Sequence, residues 1–301
     1  MTHGETPSVN SEMRGRVAVE TSLMRSFSTI VGCFGTMSEK GMLLGHRVEL
    51  PLISIVTVCL NSADVIEKCL ESVASQTYAR IQHIVIDGAS NDATCEIVRR
   101  FPHVASLVSE PDRGLYDAMN KGIAAATGDI VGILNADDFF PHPRVIEKVA
   151  EQFQSPSVDA TIADVAFVSP KDPRRIVRYY SAKGWHAGKF RDGFMPPHPS
   201  FFVRRCHYQR LGGYRTDYEI SADFELLVRF LHASKLQVRY LNEPVVFMRT
   251  GGTSNATWRR RWVLNQETLR ACREHGIETG AARLAFRYVR KIWEFVPWIR
   301  G

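Results

Sequence analysis

The chain has 301 residues, 45% of them hydrophobic and 23% charged, enough for one large or two modest domains with a real core. No apolar run approaches the ~18–20 residues that span a bilayer, and the polar start MTHGETPSVNSEMRGRVAVE lacks the apolar stretch of a secretory signal; a cytoplasmic protein is expected. The net charge of +6 is uneven, because from Arg249 onward ten Arg and one Lys face four Glu, leaving about −1 for everything before, which argues against a nucleic-acid binder.

Residues 1–48 show no sustained hydrophobic period and read as a disordered leader, or as residues upstream of a true start at Met42. From Pro51 the pattern changes. LISIVTVCL is a continuous β-branched run, the signature of a strand buried on both faces. SADVIEKCLESVASQ places Val65, Ile66, Cys69, Leu70 and Val73 on one helical face. A strand HIVIDG, a turn ASNDAT, a helix TCEIVRRF and a strand VASLVSE follow. GLYDAMNKGIAAATG is a helix closed by Gly128, DIVGILN a strand and RVIEKVAEQF a helix. Strand and helix alternating at short spacing predict an α/β domain on a mostly parallel central sheet flanked by helices.

Beyond residue 155 the alternation weakens. ATIADVAFV reads as a strand, SFFVRR follows a stretch rich in Gly, Trp, His and Pro, and SADFELLVRFLHAS is a helix. QVRYLNEPVVFMR is expected to form two short strands, and two basic helices close the chain. The six cysteines are scattered with no CxxC pair, which favours free thiols over a zinc site or a disulfide framework.

In an open parallel sheet, ligands bind beyond the carboxyl ends of the strands. Four successive strand ends here carry acids or amides: Thr57 and Asn61, then Asp87 with Ser90 and Asp92, then Glu110-Pro111-Asp112-Arg113, then Asn135-Ala136-Asp137-Asp138. Neither GxGxxG after the first strand nor GxxxxGK[ST] anywhere is present, so a dinucleotide dehydrogenase or a P-loop NTPase is not indicated. The remaining way to hold a diphosphate beside acids is a hard divalent cation, Mn²⁺ or Mg²⁺, for which Asp137 and Asp138 are suited.

The segments ISIVTVCLNSADVIEKCLESVASQTY, IQHIVIDGASNDAT, SEPDRGLYDAMNKGIAAATGD and ILNADDFF resemble family 2 glycosyltransferases of the GT-A fold. Within that family they are similar to the bacterial exopolysaccharide and lipopolysaccharide biosynthesis branch. The resemblance covers about 51–230. It implies an inverting, metal-dependent enzyme that moves a sugar from a nucleotide-diphosphate donor to a cell-surface polysaccharide or lipid-linked precursor. It divides the chain into a GT-A catalytic domain at 49–250, with a nucleotide-binding half at 49–140 and an acceptor half at 141–250, followed by basic helices at 251–301.

The resemblance also carries residue roles. Thr57, Asn61, Asp87, Ser90, Asp112, Arg113, Asn120, Lys121, Asn135 and Ala136 fall where the family lines the donor nucleotide. Gly88 stands where many members have a second acid. Asn135 and Asp137 occupy the ends of the family's D-x-D motif, with Asp137 as metal ligand and Asp138 either as an alternate metal ligand or as a group supporting the ligands from behind. Asp223, in SADFELLVR, matches the catalytic base, with Ser221 as its expected N-cap and the helix N-terminus favouring the ionised form. His198 and Arg249 are candidate acceptor or diphosphate contacts. The C-terminal tail, with Leu284, Tyr288, Ile292 and Phe295 beside Arg283, Arg287, Arg290 and Lys291, fits an interfacial helix on anionic lipid at the inner face of the cell membrane. Two rivals follow from the same residues. A sugar nucleotidyltransferase would carry a Gly-rich basic loop after the first strand, and CLNSADV has neither feature. A non-catalytic nucleotide-sugar or membrane-binding scaffold draws its support from Asn135.

Overall fold

A computed structural model describes Met1, residues 50–250 and residues 258–284. The leader, most of the Gly-containing segment after Arg249, and the tail beyond Leu284 lie outside the described residues, together with the readings made on them.

The alternating pattern gives four parallel strands with helices between them. These are β1 (Ile53–Cys59), α1 (Ile66–Ala74), β2 (Ile81–Asp87), α2 (Thr94–Arg99), β3 (Val104–Ser109), α3 (Leu115–Ala125) and β4 (Ile130–Ile133). All seven residues of β1 are buried, as its unbroken apolar run requires. Its neighbours are β2 on one side and β4 on the other. Gly122 lets α3 lie close on β1, since a Cβ there would meet Val56 Cγ1 at 2.1 Å.

The second half adds β5 (Asp138–Phe139), α4 (Val145–Gln152), β6 (Ala160–Val168), β7 (Ile176–Tyr180), β8 (Phe202–Arg204), α5 (Arg205–Leu211), α6 (Ala222–Leu227), β9 (Val238–Arg249) and α7 (Trp258–Glu274). One sheet takes up every described strand, in the order β3-β2-β1-β4-β8-β6-β9-β5, with β7 pairing the later part of β6, past the residues that pair with β8. The segment QVRYLNEPVVFMR is a single strand, not two. Its register against β6 shifts on both sides of Asp164, where Pro244 stands opposite. A proline contributes no ladder N–H, so the strand bulges there and then resumes.

The strand order forces the sheet to curl. In sequence, β5 follows β4 after four residues, a reach of about 17 Å from Ile133 to Asp138. In the sheet it lies four strands away, about 19 Å if flat. The two can be joined comfortably only if the sheet bends back on itself. Asn135-Ala136-Asp137 is the stretch that crosses this seam.

Three buried clusters fill the layers. One joins β1, β4 and α4 to Phe202 and Val246, a second joins α3 to Tyr214, Phe224 and Phe230, and a third joins Cys59 and Val85 to Ile66, Leu70 and Val98.

Candidate active site

The seam is pinned to the core from below. The Ala136 N–H donates to Val58 O at 3.2 Å and the Asp138 N–H to Asn135 O at 3.0 Å. Asp138 is 1% exposed and opens β5, opposite Met248. Burial pushes its carboxyl well above the ordinary range and the adjacent Asp137 charge adds to this, against a hydrogen bond from Asn135 and the charge of Arg249. Of the two readings of Asp138, the supporting one fits its position: it lies beneath the turn, held by Asn135 Nδ2 at 3.2 Å. Asp137 is half-buried and carries the accessible carboxylate. Asn135 Oδ1 is buried without a hydrogen-bond partner.

At the ends of β1 and β2 the polar residues are turned largely on one another. Asp87 is fully buried and accepts from Ser90 N at 2.9 Å, Ser109 Oγ at 2.6 Å, Cys95 Sγ at 3.2 Å and the Ser90 hydroxyl. Burial opposes its charge, but these donors hold its carboxyl below the usual range. The Asn61 N–H donates to Ser90 Oγ at 2.7 Å, and Asn61 Oδ1 accepts from the Asn91 N–H at 3.0 Å. Thr57 is fully buried with its hydroxyl 2.9 Å from His83 Nε2, so it supports the strand rather than facing a ligand. Beside them Leu60 is 56% exposed.

Gly88 is explained by its neighbour. Its φ is not in the left-handed region, yet a Cβ there would stand 2.6 Å from Asp112 Oδ2 and 3.5 Å from Leu60 Cδ1. The carboxylate of Asp112, steadied by the Gly114 N–H at 2.8 Å, occupies the space that a second acid on β2 would use.

The α3 residues divide their roles. Asn120 donates to Tyr214 O at 2.8 Å and accepts from Tyr214 N at 2.7 Å, which clamps α3 to the segment ahead of α6. Lys121 holds Pro111 O at 2.8 Å and pairs with Glu110, bracing the segment that carries Asp112. Arg113 is exposed and paired with Asp117 at 2.8 Å.

Asp223 enters from α6. The Ser221 hydroxyl points to Leu264 O at 3.5 Å and makes no cap, contrary to expectation. Glu267 of α7 instead accepts three successive N–H groups, from Glu219 (2.5 Å), Ile220 (3.0 Å) and Ser221 (2.8 Å). Behind this, the buried Glu225 binds Arg229 in two bonds of 2.9 Å each and His275 at 3.0 Å. Burial raises the Asp223 carboxyl to about 6 despite the opposing Phe224 N–H at 2.8 Å. The helix start does not set its charge; desolvation dominates.

Asp223 lies on the wall of two cavities. A wide polar cleft of about 740 Å³ is lined by Arg113, Asp117, Asp217, Glu219 and Arg260 among others. A smaller apolar pocket of about 230 Å³ reaches Asn135. Leu115 and Tyr116 border both. His198 lines the smaller pocket, but its Nε2 is bonded to the Tyr214 hydroxyl and burial lowers its pKa to about 4, so it is a neutral packing residue. Arg249 stacks its guanidinium 5.8 Å from the Phe139 ring, with Nε unpartnered.

Residues 54–210 match the sequence profile described as Glycosyl transferase family 2. The chain belongs to this family. An uncharacterized glycosyltransferase of Mycobacterium tuberculosis is 34% identical over 188 residues, covering 60% of this chain and 68% of the relative. A PGL/p-HBAD biosynthesis glycosyltransferase of Mycobacterium bovis is 31% identical over 212 residues, covering 68% and 80%. Among solved structures, a mannosyltransferase from Pyrobaculum calidifontis in complex with GDP-Man and Mn²⁺ superposes with TM-score 0.57 at 24% identity over 77% of this chain and 68% of that one. TarS residues 1–349 of S. aureus, in complex with UDP-GlcNAc, gives 0.59 at 15% over 75% and 68%. The family 2 glycosyltransferase described here thus has the GT-A fold.

For a cation, the chain offers Asp137 and the unpartnered Asn135 oxygen. Among the described residues no group of three or more His, Cys, Asp or Glu could hold a metal by itself. This sparse oxygen set suits Mg²⁺ or Mn²⁺, which take one or two protein ligands and complete their shell with phosphate oxygens and water.

Proposed function

We propose that this glycosyltransferase transfers a sugar, with inversion, from a nucleotide diphosphate to a hydroxyl of a cell-surface polysaccharide or lipid-linked precursor. The observation that carries the reading is Asp223, a single half-buried carboxylate on the wall shared by the polar cleft and the pocket that reaches Asn135. The named complexes of the structural neighbours with GDP-Man and UDP-GlcNAc support a nucleotide-sugar donor.

In this reading the acceptor oxygen attacks the anomeric carbon from the face opposite the diphosphate. Its proton passes to Asp223, and the electron pair of the breaking C–O bond leaves on the diphosphate. Asp137 and Asn135 would hold a divalent cation, which when bound would offset the charge gathering on the leaving group. Asp112, which stands over Gly88, is assigned to the nucleobase side of the donor, while Asp87 keeps the loop in shape. The scaffold alternative loses its support, because Asn135 has a structural use as the donor to Asp138.

A working surface at an anionic membrane is part of the same proposal. No helix among the described residues is long and apolar enough to cross a membrane. At the start of α7, however, Trp258 and Trp262 are 83% and 60% exposed and flank Arg259, Arg260 and Arg261. Indole rings beside guanidinium groups suit the headgroup layer.

A carboxylate that must be ionised to accept a proton gives a rate that falls below its pKa. With Asp223 near 6, kcat/KM should be flat above about pH 7 and fall about tenfold per pH unit below about 6. Asp223→Asn should lower kcat by about 10²–10⁴-fold while nucleotide affinity persists. Full turnover in that variant would overturn the assignment.

A further inference from the structure

The helix that carries Asp223 starts without a cap of its own. The first N–H groups of a helix have no partner within it, and the Ser221 hydroxyl, which would ordinarily supply one, points to Leu264 O. Every N–H from 219 to 225 nevertheless has a partner. Those of Glu219, Ile220 and Ser221 go to Glu267 of α7, that of Phe224 to Asp223 Oδ1, and that of Glu225 to Ser221 O. The two between them, on Ala222 and Asp223, face the hydroxyl oxygen of Tyr116. This hydroxyl reaches across from the first turn of α3 and donates its own proton to Ile220 O.

Two further contacts place the phenol there. Its ring stacks on Tyr214, with centroids 5.7 Å apart and planes 18° from parallel. Tyr214 is in turn fastened to α3 by Asn120, one turn beyond Tyr116. One hydroxyl thus donates to the carbonyl ahead of α6 and accepts from the amides that open it.

The alternative acceptor for those amides is the Asp223 carboxylate. An acid in a first turn ordinarily folds back onto the free N–H groups of its own helix. Asp223 has gone part of the way, since it holds the Phe224 N–H and stands close to its own amide. Drawn in further, it would turn from the polar cleft and the smaller pocket that it borders.

We propose that Tyr116 is a positioning residue of the active site: its hydroxyl caps α6 from α3 and so keeps the Asp223 carboxylate facing the two cavities. The role of Asp223 as base rests on the glycosyltransferase reading, but the titration that tests the cap does not depend on turnover.

The test compares the full chain with Tyr116→Phe, which keeps the ring and removes only the hydroxyl. The Asp223 carboxyl is followed by carbon-13 NMR titration, its signal assigned by its loss in Asp223→Asn. In Tyr116→Phe the freed amides bind the carboxylate and favour its ionised form, so the midpoint should fall from about 6 to about 5 or below. The charged groups around Asp223, namely Arg113, Asp117, Asp217, Glu219 and Arg260 in the cleft and Glu267 behind it, are the same in both proteins. An unchanged midpoint overturns the proposal. So does a fall accompanied by faster amide exchange in β1, since loosening of the whole fold would then account for it. Release of nucleoside diphosphate from UDP-GlcNAc and GDP-Man with Mn²⁺ is scored separately. Tyr116→Phe should lower kcat by about tenfold or more with donor KM within about twofold of wild type, and equal kcat overturns the positioning role. A lowered midpoint in Tyr116→Phe together with undiminished release by Asp223→Asn counts against the catalytic reading and leaves the cap standing.

Discussion

Asn135 stands three residues before a carboxylate that is nearly out of reach of water. Its amide nitrogen donates to Asp138, and nothing else in the turn offers that carboxyl a side-chain donor. An aspartate at 135 could accept but not donate, and would leave the buried Asp138 carboxyl without the amide donor that Asn135 supplies. Asn135→Asp should therefore destabilise the metal-free protein by about 1–3 kcal/mol, with Mn²⁺ restoring more of the melting temperature than it adds to the wild type. A melting temperature equal to wild type without metal would refute this. Gly88 makes a parallel case on the neighbouring strand. The left-handed region plays no part; what it supplies is room for Asp112 Oδ2. Gly88→Ala should push that carboxylate aside and weaken nucleotide-diphosphate binding severalfold, read by calorimetric titration, with little change in stability because the displaced group is the end of a side chain.

At the scale of elements, α7 governs the active loop from a distance. Three consecutive N–H groups, 219 to 221, converge on Glu267, just ahead of the helix that carries Asp223. Charge-assisted bonds of this kind contribute about 1.5–3 kcal/mol each at most, and together less than their sum. Glu267→Ala should cost about 1–3 kcal/mol in stability, speed amide exchange at Glu219–Ser221 and lower kcat more than donor KM. Unchanged exchange there would show that the loop is held otherwise. Glu267 was not legible in the sequence, because its partners are backbone groups almost fifty positions earlier. The parallel strands were legible, since a strand buried on both faces has no polar alternation to disguise it. β5 was not, at two residues long, and β9 divided into two readings because Pro244 and its bulge interrupt the apolar run without ending the strand. Of the donor-side residues, sequence similarity located the strand ends but not the direction of their side chains. Asp87, Asn120 and Lys121 prove to be engaged with the protein itself. The roles of Asp112 and Asn135 emerged only once Gly88 and Asp138 had neighbours.

For the whole molecule, the question is how a chain with an excess of positive charge only at its C-terminal end meets its acceptor. Arg260 lines the polar cleft and Arg259 reaches Glu219 at 3.8 Å, so the basic, tryptophan-flanked start of α7 borders the entrance to Asp223. Membrane contact at that edge would present a lipid-linked acceptor directly to the site. Each Arg near an anionic surface contributes about 1 kcal/mol, and the indoles add interfacial burial. The full chain should sediment with vesicles containing anionic phospholipid and not with neutral ones. Trp258→Ser with Trp262→Ser should reduce that binding at least tenfold. Raising salt from low to physiological strength should weaken the wild type too, because the arginine component is screened over about 8–10 Å. Binding that survives the double substitution and high salt alike would assign membrane contact to another part of the chain and detach it from the cleft at Asp223.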